Sequence, residues 1–183
     1  MAEVTAAESP TLICFGNSIT HGFGVPCEQS FPALLERLLD VRVINAGQDG
    51  DTIAGALARV ESDVLRYKPD LVTVELGAND YLGGVEARDA QRDLTSIIMR
   101  IQSAGCKIVV LSLGAELWGE EYEAMMRQVA EIRGCRFMTD LLEGIMDNNL
   151  MTLDGIHPNV TGYIVIARRV ADFLVQNEMM KTS

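Results

Sequence analysis

Histidine and cysteine are scarce in this sequence of 183 residues, which contains two histidines and four cysteines. No two cysteines have CxxC spacing, and neither histidine lies at ligand spacing from other metal-binding residues. A structural zinc site needs such a cluster, and the loop at Gly16 lacks the lysine of a Walker motif. We therefore expect no metal and no cofactor. Three cysteines lie in or beside apolar runs, which favours buried free thiols and a reducing compartment.

Positive charge is also in short supply. Fifteen lysines and arginines face 26 aspartates and glutamates, which gives a formal net charge of −11. A chain of this charge repels phosphate backbones and anionic membranes, so nucleic-acid binding is excluded as the main function. No apolar run approaches the roughly 18 residues of a membrane-spanning helix, and we expect no stable membrane insertion.

The first ten residues, Met1–Pro10, are small and polar and lack the positive start and apolar stretch of a signal peptide. The sequence as it stands predicts a cytoplasmic protein, or a periplasmic or secreted one if a leader has been removed. It carries no signal for an oligomeric state.

Hydrophobic residues are plentiful: they make up 48% of the sequence, which excludes a disordered chain. Short apolar runs that predict strands alternate with longer segments of helical periodicity. We expect a flexible segment at 1–10, a single domain at 11–178 and a C-terminal tail at 179–183. The predicted strands are Thr11–Phe15, Val41–Asn45, Leu71–Glu75, Lys107–Ser112 and Cys135–Met138. The predicted helices are Phe31–Leu39, 51–67, Val85–Ala104, Glu120–Arg133 and Asn159–Gln176.

This alternation predicts an α/β fold, because connections of this length make right-handed crossovers between parallel strands. We expect a three-layer α/β/α sandwich with a five-stranded parallel sheet in the flavodoxin-like order 2-1-3-4-5. Ligands in such sheets bind beyond the carboxyl ends of the strands, where the strand order reverses. The loops after Phe15, Asn45 and Glu75 are therefore the places to search for chemistry.

Two of the segments that carry reactive side chains contain Ser18 and His157. Ser18 follows the first strand closely, so its hydroxyl can face the crevice, although a turn or cap serine fits the same position. His157 precedes Pro158, which suits the first turn of the last helix. The helix dipole would disfavour a charged imidazole there, so a base needs a nearby anion. Asp154 can accept from the His157 ring, although an ordinary turn with a capping pair is the alternative.

The other two loops can supply hydrogen-bond donors for an oxyanion. The carboxamide of Asn79 can donate into the crevice, although Asn beside Gly is also typical of an Asx turn. Gly47 offers an unshielded backbone N–H, or marks a turn that needs a positive φ. Acyl transfer needs a nucleophile, a base, a group that orients the base, and oxyanion donors. These segments can supply all four.

The four segments resemble, in order and spacing, those of the SGNH or GDSL-like hydrolase family, over essentially the whole chain. The resemblance is closest to the branch of arylesterases, acyl-thioesterases and lysophospholipases. It implies that Ser18 is the nucleophile, His157 the general base and Asp154 the residue that orients the base. It also implies an oxyanion hole made of the backbone N–H groups of Ser18 and Gly47 and the Asn79 side chain. The blocks are GNSITHG, NAGQDGDT, ELGANDYLGG and DGIHPN.

One position departs from the family pattern: the first block usually reads Gly-Asp-Ser, whereas Asn17 stands before Ser18 here. Asn keeps a carbonyl acceptor but loses the charge, so an active enzyme with an altered rate or pH profile is expected. The alternative elbow G-x-S-x-G does not fit, because Thr20 occupies the position of its second Gly.

Four further positions are expected near the site in supporting roles. His21 is a competing base, but no carboxylate to orient it is evident, and a position in the pocket wall suits it better. Asp80 is expected to make a supporting hydrogen bond rather than to react. Trp118 and the methionines in Met146–Met151 are candidates for an acyl-binding wall.

The sequence therefore predicts a serine hydrolase that cleaves carboxylic esters of small molecules, including thioesters or lysophospholipids, through an acyl-enzyme on Ser18. Deacetylation of a carbohydrate and transfer of the acyl group to an alcohol are alternatives on the same fold. A non-catalytic binding module, weakened by Asn17, is the alternative from another class.

Overall fold

The computed structural model describes residues 10–180, and a five-stranded sheet lies at its centre. The strand order is β2-β1-β3-β4-β5, and every neighbouring pair is parallel. The predicted topology is confirmed. The strands are β1 (Thr11–Gly16), β2 (Arg42–Gly47), β3 (Leu71–Glu75), β4 (Lys107–Leu111) and β5 (Arg136–Met138).

Helices cover the sheet on both sides, which confirms the three-layer arrangement. Right-handed crossovers place the helix between β1 and β2 on one face and those that follow β2, β3 and β4 on the other. On the first face α2 (Phe31–Leu39) packs against α7 (Val160–Gln176). On the second face α5 (Ala87–Ser103) packs between α3 (Ile53–Asp63) and α6 (Ala115–Ile132). Among residues 10–180, no helix is both long and apolar enough to cross a bilayer.

The middle of the sheet is buried on both faces, as expected when helices cover a parallel sheet. All five residues of β3 are buried, including the charged Glu75 at its end. Two short helices follow the central strands directly. They are α1 (Ser18–His21) after β1 and α4 (Ala78–Leu82) after β3. The sequence pattern does not predict these two helices, because each is too short for helical periodicity to appear.

Two predicted helices have different bounds in the structure. The predicted helix 51–67 ends at Asp63, and Leu65–Tyr67 forms a separate 3-10 turn. The predicted helix Glu120–Arg133 is longer, because α6 begins at Ala115 and is kinked at Gly119, whose φ is 81°. Since that conformation is left-handed, the helical pattern is interrupted there and only its second part is evident in the sequence.

The C-terminal part also differs from the expectation. Pro158 lies outside α7, because Asn159 is the N-cap and its side chain accepts from the N–H groups of Thr161 and Gly162. Met180 is 7% exposed and Met179 packs against the core, so these two residues do not extend as a tail. The rest of the predicted tail, 181–183, and residues 1–9 of the predicted flexible segment lie outside the described residues.

Candidate active site

Ser18 is the first residue of α1, directly beyond the end of β1. Asn17 caps this helix, since its Oδ1 accepts from the Ile19 N–H at 2.9 Å. The first N–H of a helix has no acceptor within the helix. In the described part of the chain, the Ser18 N–H also has no acceptor outside it. Ser18 therefore presents both a hydroxyl and a free backbone N–H at the carboxyl edge of the sheet.

His157 lies beside this hydroxyl although it is far away in the sequence. Its Nε2 is 3.2 Å from Ser18 Oγ, and its Nδ1 is 2.8 Å from Asp154 Oδ2. The other oxygen of Asp154 accepts from the N–H groups of Ile156 and His157, at 2.9 and 2.7 Å. The hydrogen bond from the His157 ring, followed by these backbone bonds, holds the pKa of Asp154 well below its usual range. Asp154 therefore stays ionised next to the imidazole.

His157 does not lie in the first turn of α7, so the expected effect of the helix dipole on its ring is wrong. The helix begins at Val160 with Asn159 as its cap, and His157 precedes it. An antiparallel β-bridge at Thr152 and Pro158 holds this segment instead, and in it the Leu153 N–H donates to the His157 backbone oxygen at 2.9 Å. The Phe23 ring packs against the imidazole, with the two ring centroids 4.4 Å apart. Asp154 and Phe23, rather than a helix terminus, fix the ring.

Asn79 lies in α4 and forms part of the wall of the cleft that contains Ser18 and His157. Its Nδ2 donates to the backbone oxygen of Asp51 at 2.9 Å. A carboxamide has two N–H bonds, so this contact fixes the orientation of the group and leaves a second donor for a ligand. The Asp51 carbonyl also ties the loop after β2 to the loop after β3.

Two glycines lie at the end of β2 and just beyond it, Gly47 and Gly50, and their N–H groups differ in hydrogen bonding. The Gly47 N–H donates to Asn45 Oδ1 at 2.9 Å, so it is already engaged and does not serve an oxyanion. Gly47 is instead needed for close packing, because a β-carbon there would lie 2.1 Å from the backbone nitrogen of His21. In the described part of the chain the Gly50 N–H has no acceptor. Gly50 directly precedes Asp51, whose carbonyl the Asn79 side chain binds.

His21 has a carboxylate partner that the sequence does not reveal, since its Nδ1 lies 2.8 Å from Asp49 Oδ1. The side chain is 54% exposed, however, and His21 does not line the cleft with Ser18. Its expected position in the pocket wall is therefore wrong. The Oδ2 atom of Asp80 accepts from the N–H of Ile53, the first residue of α3, at 2.9 Å.

Glu75 is a buried acid next to the nucleophile loop, and sequence reasoning did not single it out. Asn17 Nδ2 donates to its Oε1, and Thr20 Oγ1 donates to its Oε2, both at 2.9 Å. Burial raises the pKa of Glu75 to about 8, although the hydrogen bonds from Thr20 and Asn17 oppose the increase. The available signal was a charged residue at the end of an otherwise apolar strand, LVTVE.

Arg59 of α3 is a second supporting residue that sequence reasoning missed. Its guanidinium donates to the backbone oxygens of Gly16 and Ala46, at 3.1 and 2.9 Å, and so joins the ends of β1 and β2. It also forms ion pairs with Asp51 at 2.6 Å and with Asp63 at 3.0 Å. The Asp63 contact has helical spacing, whereas the others join distant parts of the chain.

A cleft of about 320 Å³ opens beside these groups. Ser18, Asn79 and His157 line it, and most of the remaining wall is apolar. Met146 belongs to this wall and Met151 does not. The apolar wall includes Leu82, Leu113, Leu117, Trp118, Leu142 and Met146.

Trp118 is a buried part of this wall, with 1% of its surface exposed. Its Nε1 donates to Glu123 Oε2 at 3.4 Å. Glu123 also accepts from Thr139 Oγ1 at 2.8 Å and from Arg127 at 3.1 Å. These bonds hold the indole ring in one position, so the wall beside Ser18 is rigid at this point.

Comparison with known proteins identifies relatives that are hydrolases of esters. The model of the GDSL-like lipase/acylhydrolase family matches residues 14–165. An arylesterase of Vibrio mimicus is 33% identical over 180 residues, covering 92% of this chain and 90% of that protein. Esterase TesA of Pseudomonas aeruginosa is 38% identical over 165 residues, covering 83% of this chain and 81% of the relative.

Solved structures agree with the sequence relatives. A crystal structure of TesA superimposes with a TM-score of 0.83 at 32% identity, covering 90% of this chain and 97% of that one. AlinE4, an SGNH-hydrolase family esterase, superimposes with a TM-score of 0.73 at 29% identity, covering 94% and 98% of the two chains. The family match extends over most of the chain and contains the loops that carry Ser18, Asn79 and His157. This protein belongs to the GDSL-like lipase/acylhydrolase family and is an esterase of the SGNH type.

Proposed function

We propose that this esterase hydrolyses uncharged carboxylic esters with short to medium acyl chains through an acyl-enzyme on Ser18. The observation that carries the proposal is the chain of contacts from Ser18 Oγ through the His157 ring to Asp154, with distances of 3.2 and 2.8 Å. A serine, a base and an oriented carboxylate in this order are what nucleophilic acyl transfer requires.

In the acylation step Ser18 Oγ attacks the carbonyl carbon of the ester while His157 Nε2 takes the hydroxyl proton. Asp154 accepts from Nδ1, keeps the ring in the required tautomer and stabilises the imidazolium that forms. The carbonyl π bond opens to an oxyanion. When the tetrahedral intermediate collapses, the bond to the leaving oxygen breaks, and His157 gives its proton to that oxygen. The alcohol departs, and the acyl group remains on Ser18.

Three donors are available for the oxyanion: the N–H groups of Ser18 and Gly50 and the free N–H of the Asn79 carboxamide. All three lie in segments directly beyond the strand ends, which the hydrogen bonds of Asn79 and Arg59 tie together, so they are oriented before substrate binds. In deacylation His157 removes a proton from a water molecule, which attacks the acyl carbon. Ser18 leaves with the proton that His157 returns, and the free acid is released.

The size and the apolar wall of the cleft support an acyl chain of short to medium length. Its volume of about 320 Å³ is near the lower end of the roughly 300–1,000 Å³ typical of ligand pockets. Its wall is largely apolar, which suits an alkyl chain better than the hydroxyl-rich ring of a sugar. Trp118, held by Glu123, is a fixed part of this apolar wall.

The proposal is tested with a series of p-nitrophenyl esters from acetate to palmitate. We expect the highest kcat/KM between butyrate and octanoate and poor turnover of palmitate. Ser18→Ala is expected to lower kcat by about 10³–10⁶-fold, because the nucleophile is lost. The matched control is Ser103→Ala, an exposed serine at the end of α5, which should keep wild-type activity. Turnover by Ser18→Ala within tenfold of the wild type would contradict the mechanism.

A further inference from the structure

Glu75 is a buried acid for which the reaction described above has no use. Its side chain is 0% exposed, and it accepts hydrogen bonds from Asn17 and Thr20. Burying a carboxyl group costs much free energy unless the group is neutral or accepts hydrogen bonds. Gly16 packs directly against it: a β-carbon at Gly16 would lie 2.9 Å from Glu75 Oε2. The backbone at this point is therefore shaped around the carboxyl group.

The two residues that donate to Glu75 lie on either side of the nucleophile. Asn17 precedes Ser18, and Thr20 lies two residues beyond it in α1. Asn17 also donates through its backbone N–H to the Glu75 backbone oxygen at 3.2 Å, and it accepts from the Ile19 N–H. Glu75 thus fixes the turn that aims the Ser18 hydroxyl, although it does not touch Ser18.

The contact between residues 17 and 75 depends on the amide of Asn17. In the structure, Asn17 Nδ2 lies 2.9 Å from Glu75 Oε1. With an aspartate at position 17, a carboxyl oxygen would take the place of this nitrogen and lie at the same distance from the Glu75 carboxyl oxygen. Two carboxyl groups this close share one proton, and the contact fails when both ionise. Asn17 donates whether Glu75 is ionised or neutral. The Thr20 hydroxyl adapts as well, since it can donate to a carboxylate or accept from a protonated acid.

We propose that Asn17 and Glu75 form a positioning pair for Ser18, in which the amide at residue 17 keeps the nucleophile turn intact in both protonation states of Glu75. The part of the proposal that concerns activity rests on the proposed esterase function.

Among the described residues no Lys, Arg or His side chain forms an ion pair with Glu75, whose carboxyl oxygens accept from Asn17 and Thr20. Tyr163 of α7 lies nearby, and burial followed by the charge of Glu75 raises the pKa of this phenol, so it stays neutral. Arg59 of α3 binds the same turn, but it donates to the Gly16 oxygen and to Asp51 rather than to Glu75. Since burial raises the pKa of Glu75 to about 8, the acid titrates in the range where an esterase is assayed.

The test compares Asn17→Asp, Glu75→Gln and the double variant with the wild type between about pH 6 and about pH 9, a range that includes the titration of Glu75. In Asn17→Asp, kcat should fall by about tenfold per pH unit once the shared proton is lost, while KM changes little. In the double variant the amide at position 75 donates to the carboxylate at position 17, so the pH profile should return to that of the wild type. Glu75→Gln alone should keep the shape of the wild-type profile with a small loss of kcat, because Thr20 can accept from the new amide.

Two matched controls separate this effect from a general change of charge. Asn149→Asp, at an exposed position before α7, and Glu131→Gln on the exposed face of α6 should leave the profile unchanged. The proposal would be overturned if kcat of Asn17→Asp depended on pH as in the wild type. It would also be overturned if kcat of the double variant fell with pH as steeply as that of Asn17→Asp.

Thermal unfolding over the same pH range gives a measurement that needs no activity. The Tm of Asn17→Asp should fall progressively below that of the wild type as the pH rises, and the double variant should remove the difference. If the wild type does not hydrolyse esters, the proposed function fails, whereas this measurement still tests the pair. A Tm difference that does not change with pH would refute the pair even if the esterase is active.

Discussion

At Ser18 the reactive hydroxyl and a free backbone N–H belong to one residue, because the first residue of α1 has no intrahelical acceptor for its N–H. In the proposed mechanism this one residue supplies both the nucleophile and one donor for the oxyanion. Asn17 caps the helix through its carbonyl oxygen and binds Glu75 through its NH₂ group. The loss of charge at residue 17 thus leaves both contacts of the turn complete, which argues against a weakened binding module.

Asp154→Asn is expected to lower kcat by about 10⁴-fold. An asparagine oxygen can still accept from the backbone, but a neutral amide does not stabilise the imidazolium, and its NH₂ group favours the wrong tautomer of His157. The measurement is kcat with p-nitrophenyl butyrate near neutral pH, with Asp147→Asn as the control outside the triad. A loss of less than about tenfold, in a variant with a wild-type Tm, would show that His157 works without this carboxylate.

The residues proposed to react could be singled out from sequence because each lies in a short local motif at a strand end or before the last helix. Asp154 and His157 are three residues apart, and their contact depends only on that turn. The roles of Glu75 and Arg59 could not be predicted, because their partners are 58 and 43 residues away. Gly47 was assigned the wrong role because the local acceptor of its N–H, the Asn45 side chain, is evident only in the folded loop.

At the scale of elements, the alternation of apolar runs predicted all five strands and their order, since a buried parallel strand is a short apolar run. The ends of the elements were less predictable. The kink at Gly119 interrupts the helical pattern, so the first turn of α6 is not evident in the sequence. The helices α1 and α4 have only four and five residues, too few for a pattern. These two short helices carry Ser18 and Asn79, so the parts of the fold that the pattern misses are parts that position the site.

Arg59→Met tests how the elements are joined. The Asp51 side chain is 3% exposed, and burial already raises its pKa although Arg59 opposes the increase. Removing Arg59 leaves this carboxylate without its partner, which should cost about 3–5 kcal/mol in the free energy of unfolding at neutral pH. Burial would then raise the pKa further, so the loss should be smaller at low pH, where protonating Asp51 in the folded state costs less free energy.

The measurement for Arg59→Met is urea unfolding near pH 5 and near pH 8, with Arg92→Met as the control. Arg92 also bonds two aspartates, but its side chain is 65% exposed, and surface pairs of this kind contribute little. A destabilisation by Arg59→Met no larger than that of the control, or one that does not depend on pH, would contradict the assigned role.

At the scale of the whole molecule, the parallel sheet brings the site together. The loops after β1, β2 and β3 leave the same edge of the sheet, and the segment before α7 returns to that edge with His157. Residues 139 positions apart are thereby placed in hydrogen-bond contact. The large negative charge of the chain acts at this scale too, because it repels any anionic substrate that approaches.

The net charge of −11 predicts a salt effect that depends on the charge of the substrate. Raising the ionic strength from about 0.01 M to about 1 M shortens the Debye length from about 30 Å to about 3 Å. This screening should raise kcat/KM for butyryl-coenzyme A, whose leaving group is anionic, by several-fold. The uncharged p-nitrophenyl butyrate serves as the control and should change little. If kcat/KM changes equally with ionic strength for the two substrates, the net charge of the protein does not determine which of them it prefers.

The most direct test of the central claim is covalent labelling with a fluorophosphonate, followed by mass spectrometry of the digested protein. The proposed mechanism predicts a single adduct on Ser18, since among the described residues only this serine lies in hydrogen-bond contact with a base that a carboxylate orients. Labelling should be about 10³-fold slower or more in His157→Ala, because the hydroxyl loses that base. An adduct on another serine, or undiminished labelling of Ser18→Ala, would contradict the account.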